Sequence, residues 1–271
     1  KLLVSYRVLE DAEEINTEAV VEEETSNEDS DTAPIAIADA STTIGIVPLA
    51  IDFIGDKSPL TGASLQLRDP EFTDVHPRVL KWREKSNATG KKWALSVDEP
   101  GKANIALLPD DEDMEHNLAR SRAMWGTLMA GGFGVEWYFG YDSPNSDLTC
   151  EDFRSRDLFW DQNRCALHFF NTHIPFWKME PADELVAGEK VYCLAKKDEV
   201  YAAYLPVELA TTSIDLGTSG KEFSVHWYDP RNGGDLLEGS VKIIKANGRV
   251  SLGFPPSEQD KDWVVLLQLV K

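Results

Sequence analysis

The hydrophobic pattern of this chain changes its period once, near residue 180, and that change limits the folds open to it. From about 75 to 177, strand-like and helix-like stretches alternate. From 190 to 271, short strands follow one another with turns between them and no helical period. Strand–helix alternation is the mark of parallel α/β structure. Short strands at turn-marked spacing are the mark of an antiparallel sandwich. The expected fold class is therefore α/β followed by an all-β antiparallel sandwich of about 80 residues. The length, 271 residues, is enough for two ordinary domains or one large one.

Individual elements can be placed within that frame. Residues 76–88 suit a helix with Val79, Leu80 and Trp82 as core contacts. Lys92 to Val97 reads as a strand that stops at Asp98-Glu99-Pro100-Gly101. Residues 115–130 read as a helix, with Leu118, Met124, Trp125, Leu128 and Met129 toward the core and Asp113 as an N-cap. Gly131-Gly132 closes it, and Phe133 to Phe139 is the next strand. A second long helix over 150–170 carries Phe153, Leu158, Phe159, Trp160, Leu167 and Phe169. The later strands are Val191–Leu194, Val200–Leu205, Phe223–Tyr228, Gly239–Ile244 and Trp263–Leu269. Residues 1–60 stand apart. An apolar opening at Leu2 to Leu9 is followed by an acidic run from Glu10 to Asp31, which reads as a solvated loop or a calcium-holding block. A β-branched stretch over 42–54, interrupted by Pro48, reads as a strand.

Composition narrows the function. Hydrophobic residues at 42% and aromatics at 10% call for a packed core. A formal net charge of −20 repels phosphate backbones and anionic lipid, so nucleic acid and membrane surfaces are not expected partners. No apolar run reaches the ~18 residues of a membrane-spanning helix. The chain starts at Lys1 with no signal-peptide pattern, which reads as a mature product or a piece of a longer one. Cys150, Cys165 and Cys193 are too few for a disulfide scaffold, although one bridge is open to them. Cys150, Cys165 and His168 invite a zinc reading, but the spacing fits no standard finger and a fourth ligand is missing. No metal and no cofactor are expected.

The strongest chemical signal is Asp98-Glu99 at the carboxyl end of a strand, where α/β folds keep their reactive groups. A carboxylate there serves as nucleophile or general base, or it simply caps a loop or pairs with a cation. The second signal is Glu136-Trp137-Tyr138-Phe139-Gly140-Tyr141. Aromatic rings at a strand end stack on sugar rings, or they pack the core. Alternation puts Glu136 and Tyr138 on one face and Trp137 and Phe139 on the other. A Glu136 pointing into a barrel would be a buried acid in need of a partner. Asp110-Asp111-Glu112-Asp113 reads as a helix-starting acidic run, with cation binding the alternative. The histidines lack zinc-hydrolase spacing, no Gly-x-Ser-x-Gly elbow exists, and Gly131-Gly132-Phe133-Gly134 is not a phosphate loop.

The run from Trp93 to Tyr141 resembles the last strands of a bacterial glycoside-hydrolase (β/α)8 barrel of the apiosidase-like group and its uncharacterised relatives. The tail, Val225 to Gly234 followed by Asp262 to Leu266, resembles that family's C-terminal β-sandwich, a module often labelled collagen-binding. The resemblance implies three segments: an unassigned acidic stretch over 1–60, the C-terminal part of a barrel over 61–182, and a sandwich over 188–271. It implies Glu99 as catalytic nucleophile or base, with Asp98, Glu136, Trp137, Tyr138 and Tyr141 binding a plant or algal polysaccharide or oligosaccharide. It also implies a secreted or periplasmic location. A full barrel needs roughly 250 residues, so strands 1–5 and the acid partner lie outside this chain, and the missing N-terminal part of the barrel becomes an expected partner. The alternative function is a non-catalytic carbohydrate- or protein-binding structural module.

Overall fold

The computed structural model describes residues 58, 60–142, 152–207, 209 and 211–270. The expectations for 1–57, the acidic run and the 42–54 strand among them, lie outside the described residues, as does Cys150.

The first unit is a three-stranded parallel sheet in the order β1 (Gly62–Gln66), β2 (Ala94–Asp98), β3 (Gly134–Glu136). Helix α1 (Val75–Ala88) joins β1 to β2. Helix α2 joins β2 to β3, running as a π-helix over Ala119–Trp125 and as an α-helix over Gly126–Met129. Side chains alternate across the pleat. Leu65, Leu95 and Val97 point to one face and are buried with Val75, Val79 and Trp82 of α1 and Trp125 of α2. Ser64, Gln66, Ser96, Asp98 and Glu136 take the other face, where the Ser96 hydroxyl meets that of Ser64 at 3.0 Å.

The π-helix corrects the expected core stripe. Met124, Trp125, Leu128 and Met129 are buried, but Leu118 is 38% exposed. Hydrogen bonds from i to i+5 fit more residues into a turn, so seven-residue spacing no longer aligns Leu118 with Trp125. The helix ends in a Schellman motif: Gly132 N–H donates to the Thr127 carbonyl and Gly131 N–H to that of Leu128. Gly131 adopts φ +80°, and a Cβ there would lie 2.5 Å from the Arg83 guanidinium. Asp113 does not cap α2; its carboxylate accepts the His116 backbone N–H instead.

The expected strand Phe133 to Phe139 is only three residues long. After Glu136 the chain turns aside so that Trp137 and Phe139 join the packing beneath α3 (Asp157–His173). A 3₁₀ turn over Phe153–Arg156 precedes α3. Its buried stripe is Phe159, Gln162, Cys165, Ala166, Phe169 and Phe170. Leu158, Leu167 and Phe153 fall off this stripe and are exposed. Arg156, fully buried, donates to the carbonyls of Leu107 and Phe139 and lies 4.3 Å from the Phe139 ring.

After α3 no further parallel strand follows among the described residues. β4 (Glu180–Pro181) opens a six-stranded antiparallel sheet with β5 (Tyr192–Lys196) and β6 (Val200–Leu205). β7 (Ser213–Asp215) leaves that sheet, and β8 (Glu222–Tyr228) and β9 (Ile243–Lys245) return to it. β10 (Arg249–Ser251) pairs with β7 as a two-stranded ribbon, and β11 (Trp263–Leu269) enters the middle of the sheet. The resulting order is β4-β5-β6-β11-β8-β9. The described residues thus form mixed α/β structure with an open parallel sheet and an antiparallel sheet; a barrel is not formed. The second sandwich layer is only the β7–β10 ribbon. The larger sheet is covered on both faces. Tyr192, Leu194, Ala202, Tyr204, Val264 and Leu266 pack on the helices of the first unit. Cys193, Tyr201, Val225, Trp227, Val265 and Leu267 pack beneath the ribbon with Ile214 and Leu252. Two-sided burial explains the unbroken apolar run of β11.

Candidate functional site

The carboxyl ends of the three parallel strands bring four polar side chains into one row. Parallel register sets Gln66, Asp98 and Glu136 side by side on the face opposite Leu65 and Val97, and neighbouring strands lie about 4.8 Å apart. Glu99 follows Asp98 with φ +48°, a left-handed backbone that a non-glycine residue adopts at a cost. Its N–H donates to the Glu136 carbonyl at 3.1 Å, and its carboxylate accepts from the Gln66 amide. Gly101 then donates to the Leu67 carbonyl at 2.8 Å, closing the loop against β1. Glu99 and Asp98 are half-buried, whereas Glu136 is exposed, so the buried-acid reading of Glu136 does not apply. Gln66 escaped the sequence reading. Its signal was its place as the last residue of the first strand, in register with Asp98.

The aromatic residues part company with this row. The Trp137 ring makes an edge contact with Phe159 at 4.7 Å and with Phe72 at 6.5 Å, so it is half-buried and packs against the core. Tyr138 is half-buried, and its carbonyl accepts from Leu107 N–H at 3.2 Å. Tyr141 is 56% exposed, next to Asp142, which accepts from the Asn104 amide at 2.7 Å. In the acidic loop, Asp110 binds the buried His116 ring at 2.7 Å and accepts Leu158 N–H at 3.0 Å, which makes it a structural tie between the loop and α3. Cys165 and Cys193 are both free and buried, and burial raises both thiols.

The tail motif is likewise a built loop. Asp229 accepts hydrogen bonds from the Arg231 backbone and guanidinium (2.8–3.0 Å) and from the Asn232 amide at 2.9 Å. Burial alone would raise the Asp229 carboxyl, but the bonds from Arg231 and Asn232 outweigh it and hold the group below its usual value. Arg231 lies over the Trp263 ring, 5.4 Å from its centre, and reaches Glu258 at 3.1 Å. Gly233, at φ +68°, sits where a Cβ would meet the Cys165 sulfur at 2.8 Å. The Tyr228 hydroxyl donates to the Cys165 carbonyl. Beside this loop, Arg120 and Asp262 form a fully buried pair at 2.9 Å, and the Tyr204 hydroxyl donates to the same carboxylate. Desolvation disfavours the Arg120 charge, but Asp262 more than offsets it and raises the group.

Residues 181–268 match the family model described as "Putative collagen-binding domain of a collagenase". The match spans the antiparallel sheet and its ribbon almost to their limits and leaves the parallel unit outside. The chain matches no curated protein.

Proposed function

We propose that the chain is a non-catalytic binding module whose C-terminal sheet unit holds an extended biopolymer, protein or carbohydrate, without turning it over. The match of residues 181–268 to a family described by collagen binding carries this reading. The loop chemistry agrees with it. The charged groups of the tail motif are used up in holding the unit together, so they are not free to attack a substrate. Within the matched stretch, Leu237, Ile243 and Phe254 are left at 40%, 57% and 43% exposure, apolar surface of the kind that binding faces use. A polymer ligand implies a chain that is secreted or held in the periplasm. The test incubates the full chain with fibrillar collagen and, in parallel, with insoluble plant or algal polysaccharide. Co-sedimentation with one of them and no release of soluble fragments supports the proposal. Co-sedimentation with neither, or release of peptide or reducing sugar, overturns it.

A second reading, glycoside hydrolysis, is favoured by one observation: the left-handed backbone at Glu99 beside Asp98 and Glu136. Strained backbone concentrates where chemistry is done. On this reading further parallel strands, carrying the acid partner, pair at the edges of the sheet and close it around the face that bears these acids, as in a (β/α)8 barrel. Hydrolysis of a polysaccharide by the chain, abolished by Glu99→Gln, would establish it; unchanged hydrolysis in that variant would remove it.

A further inference from the structure

We propose that the crevice between α2 and the antiparallel sheet binds a sugar acid, a ring of monosaccharide size bearing one carboxylate. A cavity of about 320 Å³ opens there, at the lower end of the range for small-molecule sites. Its charged lining residues are two cations, Arg122 and Lys190, in a chain whose net charge is −20.

Both cations keep donors in reserve. The Arg122 side chain is only 13% exposed, and its hydrogen bonds, to the Glu71 carbonyl at 3.1 Å and carboxylate at 3.2 Å, both come from Nη1. Its Nε and Nη2 make no hydrogen bond to the described residues, which leaves a planar edge of the kind that takes a carboxylate. Lys190, exposed and held at φ +57°, makes no ion pair with any described residue. Four carboxylates neighbour the lining. Glu189 adjoins Lys190 in the chain, and Asp183, which acts on the Tyr192 phenol, is engaged by the His76 ring and the Cys193 backbone N–H. Glu71 takes Arg122 Nη1, and Glu115 takes Lys261 and the Asn117 amide.

The rest of the lining suits a hydroxylated ring. Tyr192 is fixed by stacking on His76 at 4.0 Å, with Tyr204 near-parallel at 6.1 Å. Its hydroxyl has no hydrogen-bond partner among the described residues. Burial pushes the Tyr192 phenol up to about 12 although Arg122 pulls the other way, so it stays a neutral donor. The Ser121 hydroxyl donates to the Asn117 carbonyl at 2.6 Å and retains its acceptor lone pairs. Leu118, Pro206 and Val207 supply an apolar wall for the C–H face of a ring. A lone carboxylate side chain from a partner protein would satisfy the cations but leave this wall and most of the volume unfilled.

The test is read on small molecules, so its failure leaves the polymer reading untouched. Calorimetry on the full chain uses glucuronate as probe, with glucose (no carboxylate) and glutarate (no ring) beside it. Saturable binding of glucuronate in the millimolar range is expected, about ten-fold or more tighter than either comparison compound. Lys190→Ala, which removes an exposed side chain with no ion-pair partner among the described residues, should weaken it about ten-fold with an unchanged thermal midpoint, and Arg122→Gln by at least as much. No saturation with glucuronate, equal binding of glucose, or full affinity in the Lys190 variant overturns the proposal. Equal binding of glutarate also overturns it, and points to an acidic protein side chain as the occupant.

Discussion

Glu99 and Asp262 carry the clearest consequences at the scale of single residues. The left-handed backbone at Glu99 costs a residue with a Cβ about 1 kcal/mol relative to glycine. Glu99→Ala and Glu99→Gly both lose the bond from Gln66, so their difference isolates the strain. The glycine variant should be about 1 kcal/mol more stable than the alanine variant by urea titration, and equal stability would mean that the backbone there is relaxed. Asp262→Ala leaves the Arg120 guanidinium buried without its counter-charge and should cost about 3–5 kcal/mol. Combining it with Arg120→Met should recover much of that loss in the same titration, because the double variant buries no lone charge. Asp229 contributes to acid stability. Its folded carboxyl titrates below its unfolded value, so the stability it adds is complete above about pH 3.9 and is lost as pH falls through the folded value. Chemical denaturation between pH 6 and pH 2 should therefore show a shallower acid loss in Asp229→Asn than in the parent. The Arg120–Asp262 pair is not legible in the sequence, since the two residues are separated by 142 positions and only the fold joins them.

At the scale of elements, α2 shows what a sequence pattern can and cannot specify. Its apolar spacing marks a helix, and Gly131-Gly132 marks its end, both of which the structure reproduces. The π-turns are invisible to a pattern that assumes one pitch, and they put Leu118 out of the core and Arg120 into it. The cap is the testable part. Gly131→Ala forces a Cβ into a left-handed position against Arg83 and should lower stability by about 1 kcal/mol or more, read as a drop in the thermal midpoint. β3 teaches a similar lesson. Alternation extended past a three-residue strand placed Trp137 on a face that no longer exists, whereas β6, β8 and β11 were legible because their apolar runs are long enough to specify a strand on their own. Within the candidate site, Asp98, Glu99 and Glu136 were legible as acids at strand ends, while the left-handed turn and the Gln66 bond depend on register between strands 33 residues apart.

For the whole molecule, the antiparallel sheet and the helices of the parallel unit share one apolar core, from Val75 and Trp125 through Tyr204 to Leu266. The matched segment is thus not closed on itself: without α1, α2 and α3 it would expose one entire face of its sheet. Calorimetric unfolding of the full chain should show a single transition for both units, with matching midpoints by circular dichroism and tryptophan fluorescence. Two separated transitions would mean that the shared core is not what couples them. The change of hydrophobic period near residue 180 was enough to separate the units in the sequence. That the two would be glued face to face was not legible, because a sheet buried on both sides by unlike partners reads the same as one buried in a symmetric sandwich.

The place of β11 between β6 and β8 bears on biosynthesis. While the polypeptide emerges from the ribosome, those two earlier strands must wait with unsatisfied edges until residues 263–269 are translated. A premature stop codon ahead of Trp263 would therefore leave two sticky half-sheets for chaperones and proteases to clear, instead of a slightly shortened product.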